Sequence, residues 1–251
     1  MDVSISYSLL KFLNPQYFTK FFLKLRNRYL HKTQRIVVYG VSGVGKTEFL
    51  HSLLGDGFSN GQRTQDLVKY PFELPDGHKV IFIDTPGHPT MEAVRERLQR
   101  DYTNCKITGI INIVSKGFHS TPETPIIDVF KAGTNEIKEE YLRENIKLEN
   151  NQLSEWQTYI KADNQVKWFM TIVNKADLWY DNHNDVMEYY RSGEYYSAIK
   201  GIEHCCNIHT FPYCSIMKPF MGKFRSVKYS EVEKRNMYEE LISQLQRLAC
   251  K

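Results

Sequence analysis

Eight residues near the start of the chain, Gly40-Val41-Ser42-Gly43-Val44-Gly45-Lys46-Thr47, have the types and spacing of a phosphate cradle. The pattern is G-x-x-x-x-G-K-[ST]. It follows a β-branched run at 35–39 and precedes a helical stretch at about 46–54, the context that separates such a loop from an ordinary glycine turn. Gly40, Gly43 and Gly45 let the backbone N–H groups of the loop, those of Ser42 and Val44 included, close around phosphate oxygens. The helix N-terminus adds favourable partial charge. Lys46 is expected to reach the outer phosphates, and the Thr47 hydroxyl to ligate a Mg²⁺ that accompanies them.

Two more clusters end other strand-like runs. Asp84-Thr85-Pro86-Gly87 follows the run at 79–83, which puts a carboxylate at the carboxyl edge of a sheet. Asp84 can hold Mg²⁺ through a water, and the Gly87 N–H can sense a terminal phosphate. Taken alone, the tetrapeptide is only a good turn sequence. Asn174-Lys175-Ala176-Asp177 ends the run at 166–173. The Asp177 carboxylate can accept from N1–H and the exocyclic amine of guanine, whereas adenine offers no matching pair of donors. Asn174 braces that loop, and the stem of Lys175 covers the ring. Losing such a buried, charge-assisted contact costs about 1.5 to 3 kcal/mol or more, enough to set base specificity and to disfavour an ATP-using enzyme.

These loops need a sheet to aim them. Strand candidates are 35–39, 68–74, 79–83, 107–114, 166–173 and 208–213, all rich in β-branched or aromatic residues. Helical stretches lie at about 46–54, 91–104, 135–162, 183–200 and 230–249. In the last, Ser230 and Glu233 form a capping box ahead of Tyr238, Leu241, Ile242, Leu245 and Leu248 at helical spacing. Strands alternating with helices predict an α/β fold, a mostly parallel six-stranded sheet with helices on both faces.

The three motifs, in this order and at these separations, resemble those of the P-loop GTPases, in the broad branch that holds Ras-like and translation-factor GTPases. The resemblance covers about residues 35–216. It implies a Mg²⁺-binding threonine in the first switch loop, and Thr64 is the only threonine between Thr47 and Thr85. It implies a last base-contacting loop at Cys214-Ser215-Ile216, where Ser215 replaces the usual alanine and acts through its backbone N–H on guanine O6. His88 falls where Ras-like members carry a glutamine and translation factors a histidine, so it would orient the attacking water; the bland alternative is a surface histidine whose approach Pro89 restricts. Ser42 stands where Ras itself has glycine and would crowd an inserted arginine. The resemblance therefore implies a slow GTP-hydrolysing switch, with catalytic Lys46, Thr64 and His88, that signals through loops 55–67 and 85–95 to a protein effector or activator. The rival is a scaffold that holds GTP or GDP with negligible turnover.

Two additions flank this unit, taken as residues 34–251. Residues 1–33 carry six Lys or Arg against one acid beside an apolar stripe at Tyr17, Phe18, Phe21, Phe22, Leu25 and Tyr29. Such a helix either lies on an anionic membrane surface, as in Arf-like GTPases, or docks on this domain or on a second copy. Residues 115–165 exceed an ordinary connection and read as a Pro-containing loop followed by an acidic helix or helix pair, which either presents an effector surface or is only an elongated exposed helix. The net charge of +4 is too weak a bias for nucleic acid to be the main ligand. Five cysteines without disulfide or zinc spacing fit reduced thiols in the cytoplasm, and His204, Cys205, Cys206 and His209 read as packing residues.

Overall fold

The computed structural model describes Leu25 and residues 33–55, 67–86, 107–162, 166–226 and 228–250. The expected basic helix at the N-terminus and the expected helix at 91–104 lie outside the described residues, as do Thr64, Gly87, His88 and Pro89.

Six strands form one sheet: β1 (Gln34–Tyr39), β2 (Val68–Glu73), β3 (Lys79–Asp84), β4 (Gly109–Val114), β5 (Trp168–Val173) and β6 (Asn207–Pro212), in the order β2-β3-β1-β4-β5-β6. Only β2 runs antiparallel to its neighbour. It is an edge strand, half-buried at most, and so tolerates Pro71 in place of a ladder donor. The central β4 and β5 are buried at every position, because their Ile and Val side chains meet helices on both faces.

Register fixes where the loops emerge. Val38 pairs with Asp84, Tyr39 with Asn112, Val114 with Val173, and Val173 with Pro212. The connections after β1, β3, β4, β5 and β6 thus leave from one edge. Strand order reverses at β1, between β3 and β4, and ligands of open α/β sheets settle at such a point.

The described helices are α1 (Lys46–Leu54), α2 (Ile126–Val129), α3 (Glu139–Ala162), α4 (Ala176–Trp179), α5 (His183–Arg191), α6 (Glu194–Ile199) and α7 (Glu231–Ala249). α1 ends at Gly55, whose left-handed φ of 77° lets its N–H cap His51 O at 3.0 Å. α7 begins at Ser230, whose hydroxyl accepts from the Glu233 N–H at 3.4 Å. Gln34 Nε2 donates to Ala249 O at 2.8 Å and ties the last helix to the first strand. Two expectations change. The stretch at 183–200 is two helices rather than one, because the chain folds back at Gly193, where a Cβ would lie 2.9 Å from Tyr189 Cα. The helix expected from 135 starts at Glu139, after α2 and a bridge between Phe130 and Ile137.

Candidate nucleotide-binding site

The phosphate loop connects β1 to α1 and has the backbone its glycines permit. Gly43 has φ +82°, and a Cβ there would lie 2.7 Å from Ser120 N; Gly45 has φ +93°, and a Cβ there would lie 2.7 Å from Asn174 Nδ2. Both the conformation and the close approach demand glycine. Lys46 Nζ lies within the loop and donates to Gly40 O at 2.9 Å and Val41 O at 3.1 Å. Burial lowers its pKa, against the opposing pull of Asp84 and Glu48. A desolvated ammonium held within such a loop is suited to an anionic ligand, which would favour its charged form.

Thr47 and Asp84 meet at the start of α1. Thr47 Oγ1 donates to Asp84 Oδ2 at 2.9 Å, and Asp84 is fully buried. A hydroxyl and a carboxylate side by side are hard oxygen donors, so this pair fits a small divalent cation such as Mg²⁺ and not a thiol-seeking metal. Neighbouring Thr85 takes another part: its hydroxyl donates to Val38 O at 3.0 Å and fastens the end of β3 to β1.

The cluster expected to read a purine leaves β5. Asn174, 1% exposed, reaches in two directions. Its Nδ2 donates to Val44 O at 3.0 Å, while its Oδ1 accepts from the Ser215 N–H at 3.1 Å and the Ser215 hydroxyl at 2.9 Å. Lys175, left-handed at φ 59°, sends Nζ to Gly43 O at 2.7 Å and Phe118 O at 2.6 Å. Burial brings its pKa down to about 8. The Ser215 N–H and hydroxyl are thus both held by Asn174, a tie that the sequence did not show.

Asp177 is 1% exposed. Its Oδ2 accepts from the Lys218 N–H at 3.1 Å and its Oδ1 from the Cys214 thiol at 3.3 Å. Burial raises its pKa, and these two hydrogen bonds, with Lys175 nearby, oppose the rise. Lys218 and Cys214 were not legible as partners of Asp177. The sequence signal for Lys218 was weak: a lysine three residues after Ser215, in a loop that carries two more aromatic residues.

A further contributor was also missed. The loop after β4 touches the phosphate loop directly, through the Ser120 N–H on Gly43 O at 3.3 Å and the Phe118 carbonyl on Lys175. Phe118 packs edge-on to Phe220 at 5.6 Å and stacks on Phe224 at 6.1 Å, which joins this loop to the one after β6.

Among the described residues one group of three metal-type side chains gathers, Asp76, His78 and Cys250, at the opposite end of the sheet. Asp76 Oδ2 lies 3.0 Å from His78 Nδ1 and Cys250 Sγ 4.0 Å from His78 Nε2. The two flank opposite nitrogens of one ring, which orients an imidazole better than it closes on an ion. His204, Cys205, Cys206 and His209 form no such group. No described helix is long and apolar enough to cross a membrane.

A lysine-bearing phosphate loop, tied through Asn174 and Lys175 to the loop that carries Asp177 on a sheet of this order, makes the protein a P-loop GTPase. Residues 35–175, more than half of the chain, match the family described as 50S ribosome-binding GTPase, and the chain belongs to that family. Shorter matches reach translation initiation factor IF-2. The Maricaulis maris protein is 38% identical over 65 residues, 25% of this chain and 8% of that protein. The Rickettsia conorii protein is 35% identical over 82 residues, 32% of this chain and 9% of that protein. The chain therefore spans about a tenth of these relatives or less. In three dimensions it is similar to a chain in the structure of the mammalian SRP receptor, with a TM-score of 0.51 and 13% identity over 86% of this chain and 100% of that one. At that identity the likeness speaks for the fold alone.

Proposed function

We propose that the protein is a Mg²⁺-dependent molecular switch that hydrolyses GTP slowly to GDP and reports its state through loops 55–67 and 85–95. The observation that carries this reading is the tie between the purine-reading and phosphate-binding loops, Asn174 Nδ2 to Val44 O at 3.0 Å and Lys175 Nζ to Gly43 O at 2.7 Å. The two ends of a nucleotide are thereby gripped as one unit.

In this mechanism the loop N–H groups and Lys46 neutralise charge that develops on the transferred phosphoryl group, and His88 orients the attacking water; the protein forms no covalent intermediate. Mg²⁺, held by the Thr47 and Thr64 hydroxyls and by Asp84 through water, would supply further charge neutralisation. When the terminal phosphate departs, Thr64 and Gly87 lose what they hold, and the two loops relax. A protein effector or activator would read that change. Ser42, half-buried in the phosphate loop, favours a second reading, a scaffold that holds nucleotide with negligible turnover. Single-turnover phosphate release from GTP separates the two. Release above buffer within an hour supports the switch, and none over many hours, with Mg²⁺ and candidate partners present, supports the scaffold.

For residues 1–32 we propose docking, on this domain or a second copy or on an anionic membrane, in a protein that works in the cytoplasm. Sedimentation with anionic liposomes, full chain against a chain starting at Thr33, distinguishes membrane from protein docking.

A further inference from the structure

Glu149 sits in the middle of α3 at 2% exposure, whereas Glu139, Glu140, Arg143, Glu144 and Lys147 of the same helix are exposed. A carboxylate buried that deeply is tolerable only with compensating donors. It has four. Glu149 Oε1 accepts from the Ser115 N–H at 2.8 Å, the Gly117 N–H at 3.2 Å and the ring of His119 at 2.8 Å, while Oε2 accepts from the Tyr190 hydroxyl at 2.7 Å. Tyr190 in turn accepts from the Lys116 N–H at 3.1 Å. Two more side chains of α3 hold the same loop: Asn145 Nδ2 donates to Gly117 O at 2.9 Å, and the Tyr141 hydroxyl to His119 O.

The protonation states agree with this geometry. Burial pushes the Glu149 carboxyl up, but the bonds from His119, Tyr190 and Ser115 outweigh it and leave its pKa below the ordinary value. Burial lowers the His119 pKa, so a neutral ring donates Nε2–H to an ionised Glu149.

The loop organised in this way ends on the nucleotide site. The Ser120 N–H meets Gly43 O at 3.3 Å, and the Phe118 carbonyl takes Lys175 Nζ at 2.6 Å. Gly43 leaves no slack there, since even a Cβ would come within 2.7 Å of Ser120 N. We infer that Glu149 is a positioning residue for nucleotide retention: from the inserted helix it fixes loop 115–120 against Gly43 and Lys175, and so sets how long guanine nucleotide stays bound. This rests on the guanine-nucleotide reading above. It makes the insertion a place from which a bound partner could speed or slow release.

The test is dissociation of a fluorescent GDP analogue from the full chain with Mg²⁺, for wild type and Glu149→Gln. The amide keeps the shape and an acceptor for Ser115 and Gly117, but removes the charge that holds His119. The expected result is release accelerated about tenfold at an unchanged fraction of binding-competent protein. A purely structural role would lower the competent fraction and leave the rate of the remainder alone. Leu245→Val, in the core of α7 and away from this network, controls for general destabilisation and is expected to release at the wild-type rate. Release by Glu149→Gln within twofold of wild type, or equal acceleration by Leu245→Val, overturns the inference. If wild type itself does not retain GDP, the underlying reading fails first. Should Glu149→Gln yield no folded protein, Tyr190→Phe removes the bond to Oε2 and the acceptor of the Lys116 N–H while leaving the Ser115, Gly117 and His119 bonds to Oε1, and a rise of about threefold is then expected, with none overturning the inference.

Discussion

Replacing Asn174 with alanine tests whether the three loops act as one grip. The side chain makes four hydrogen bonds, to Val44 O at 3.0 Å, Gly45 O at 3.4 Å, the Ser215 N–H at 3.1 Å and the Ser215 hydroxyl at 2.9 Å. Three have good distances, and at a net value of about 1 kcal/mol each they give about 3 kcal/mol. The Ser215 N–H, on a residue 7% exposed, then loses its acceptor in a place water reaches poorly, which adds about 1 kcal/mol or more. All of these bonds run between loops and none lies within the sheet ladder. The loss of about 4 kcal/mol should therefore appear mostly as loops that no longer share one arrangement, with the core intact. Only the shared arrangement binds GDP well, so apparent affinity falls with its population. With about half to two-thirds of the loss expressed there, GDP binding weakens about 30- to 100-fold at 1.4 kcal/mol per decade. Calorimetric titration with GDP and Mg²⁺ measures this, at a temperature where circular dichroism shows the variant folded. Affinity within threefold of wild type, together with a lowered melting temperature, would show that Asn174 serves stability alone.

Other substitutions test individual roles. Asp177→Asn puts an amide group where the Lys218 N–H and the Cys214 thiol now donate, and calorimetry should show GDP binding at least about tenfold weaker; unchanged affinity would end the guanine assignment for that carboxylate. Thr47→Ala removes the hydroxyl beside Asp84 and should raise the Mg²⁺ concentration needed for half-maximal GDP retention by about tenfold, read from dissociation rates across a Mg²⁺ series. Lys175 carries a pH signature. Burial sets its pKa at about 8, below the unfolded value of about 10.4, so between these limits the unfolded chain binds the extra proton and this residue's contribution to stability rises with pH. The Cys206 and Cys214 thiols, raised by burial, act with the opposite sign, so the readout is a difference. The denaturant midpoint of wild type minus that of Lys175→Met, without nucleotide, should increase from pH 8 to pH 9.5, and a flat difference would refute the desolvation account.

The central elements were legible because they repeat a short-range pattern with a long-range purpose. The runs that became β1, β3, β4 and β5 are dense in Val, Ile and Phe; β3 ends on Asp84 itself, and the other three are followed at once by Gly40, Ser115 and Asn174. Gly40, Asp84 and Asn174 were expected at strand ends, and the structure places them there. The bond from the Ser215 N–H to Asn174 was not legible because a backbone N–H has no sequence signature; which loop amide faces which acceptor depends on the turn. The pairing of Lys218 with Asp177 was hidden for the same reason.

Glu149 is a different kind of omission. In α3 the positions Leu142, Asn145, Glu149 and Leu153 recur at intervals of three and four, so they share one face, and an acid within an otherwise packing stripe is a readable anomaly. It was passed over because 115–165 read as an addition with an acidic helix, in which one more acid draws no notice. The packing joins that helix to the core. Val129, Phe130, Leu153 and Ile160 belong to the same buried cluster as the central strands, and Phe130 lies 6.5 Å from Phe220 of the loop after β6. A segment that shares a core with the sheet and sends a buried charge to the loop beside the phosphate cradle is placed to move with that loop. On the inference above, its geometry and the occupancy of the nucleotide site are coupled, and a ligand that alters one would, by linkage, alter the other.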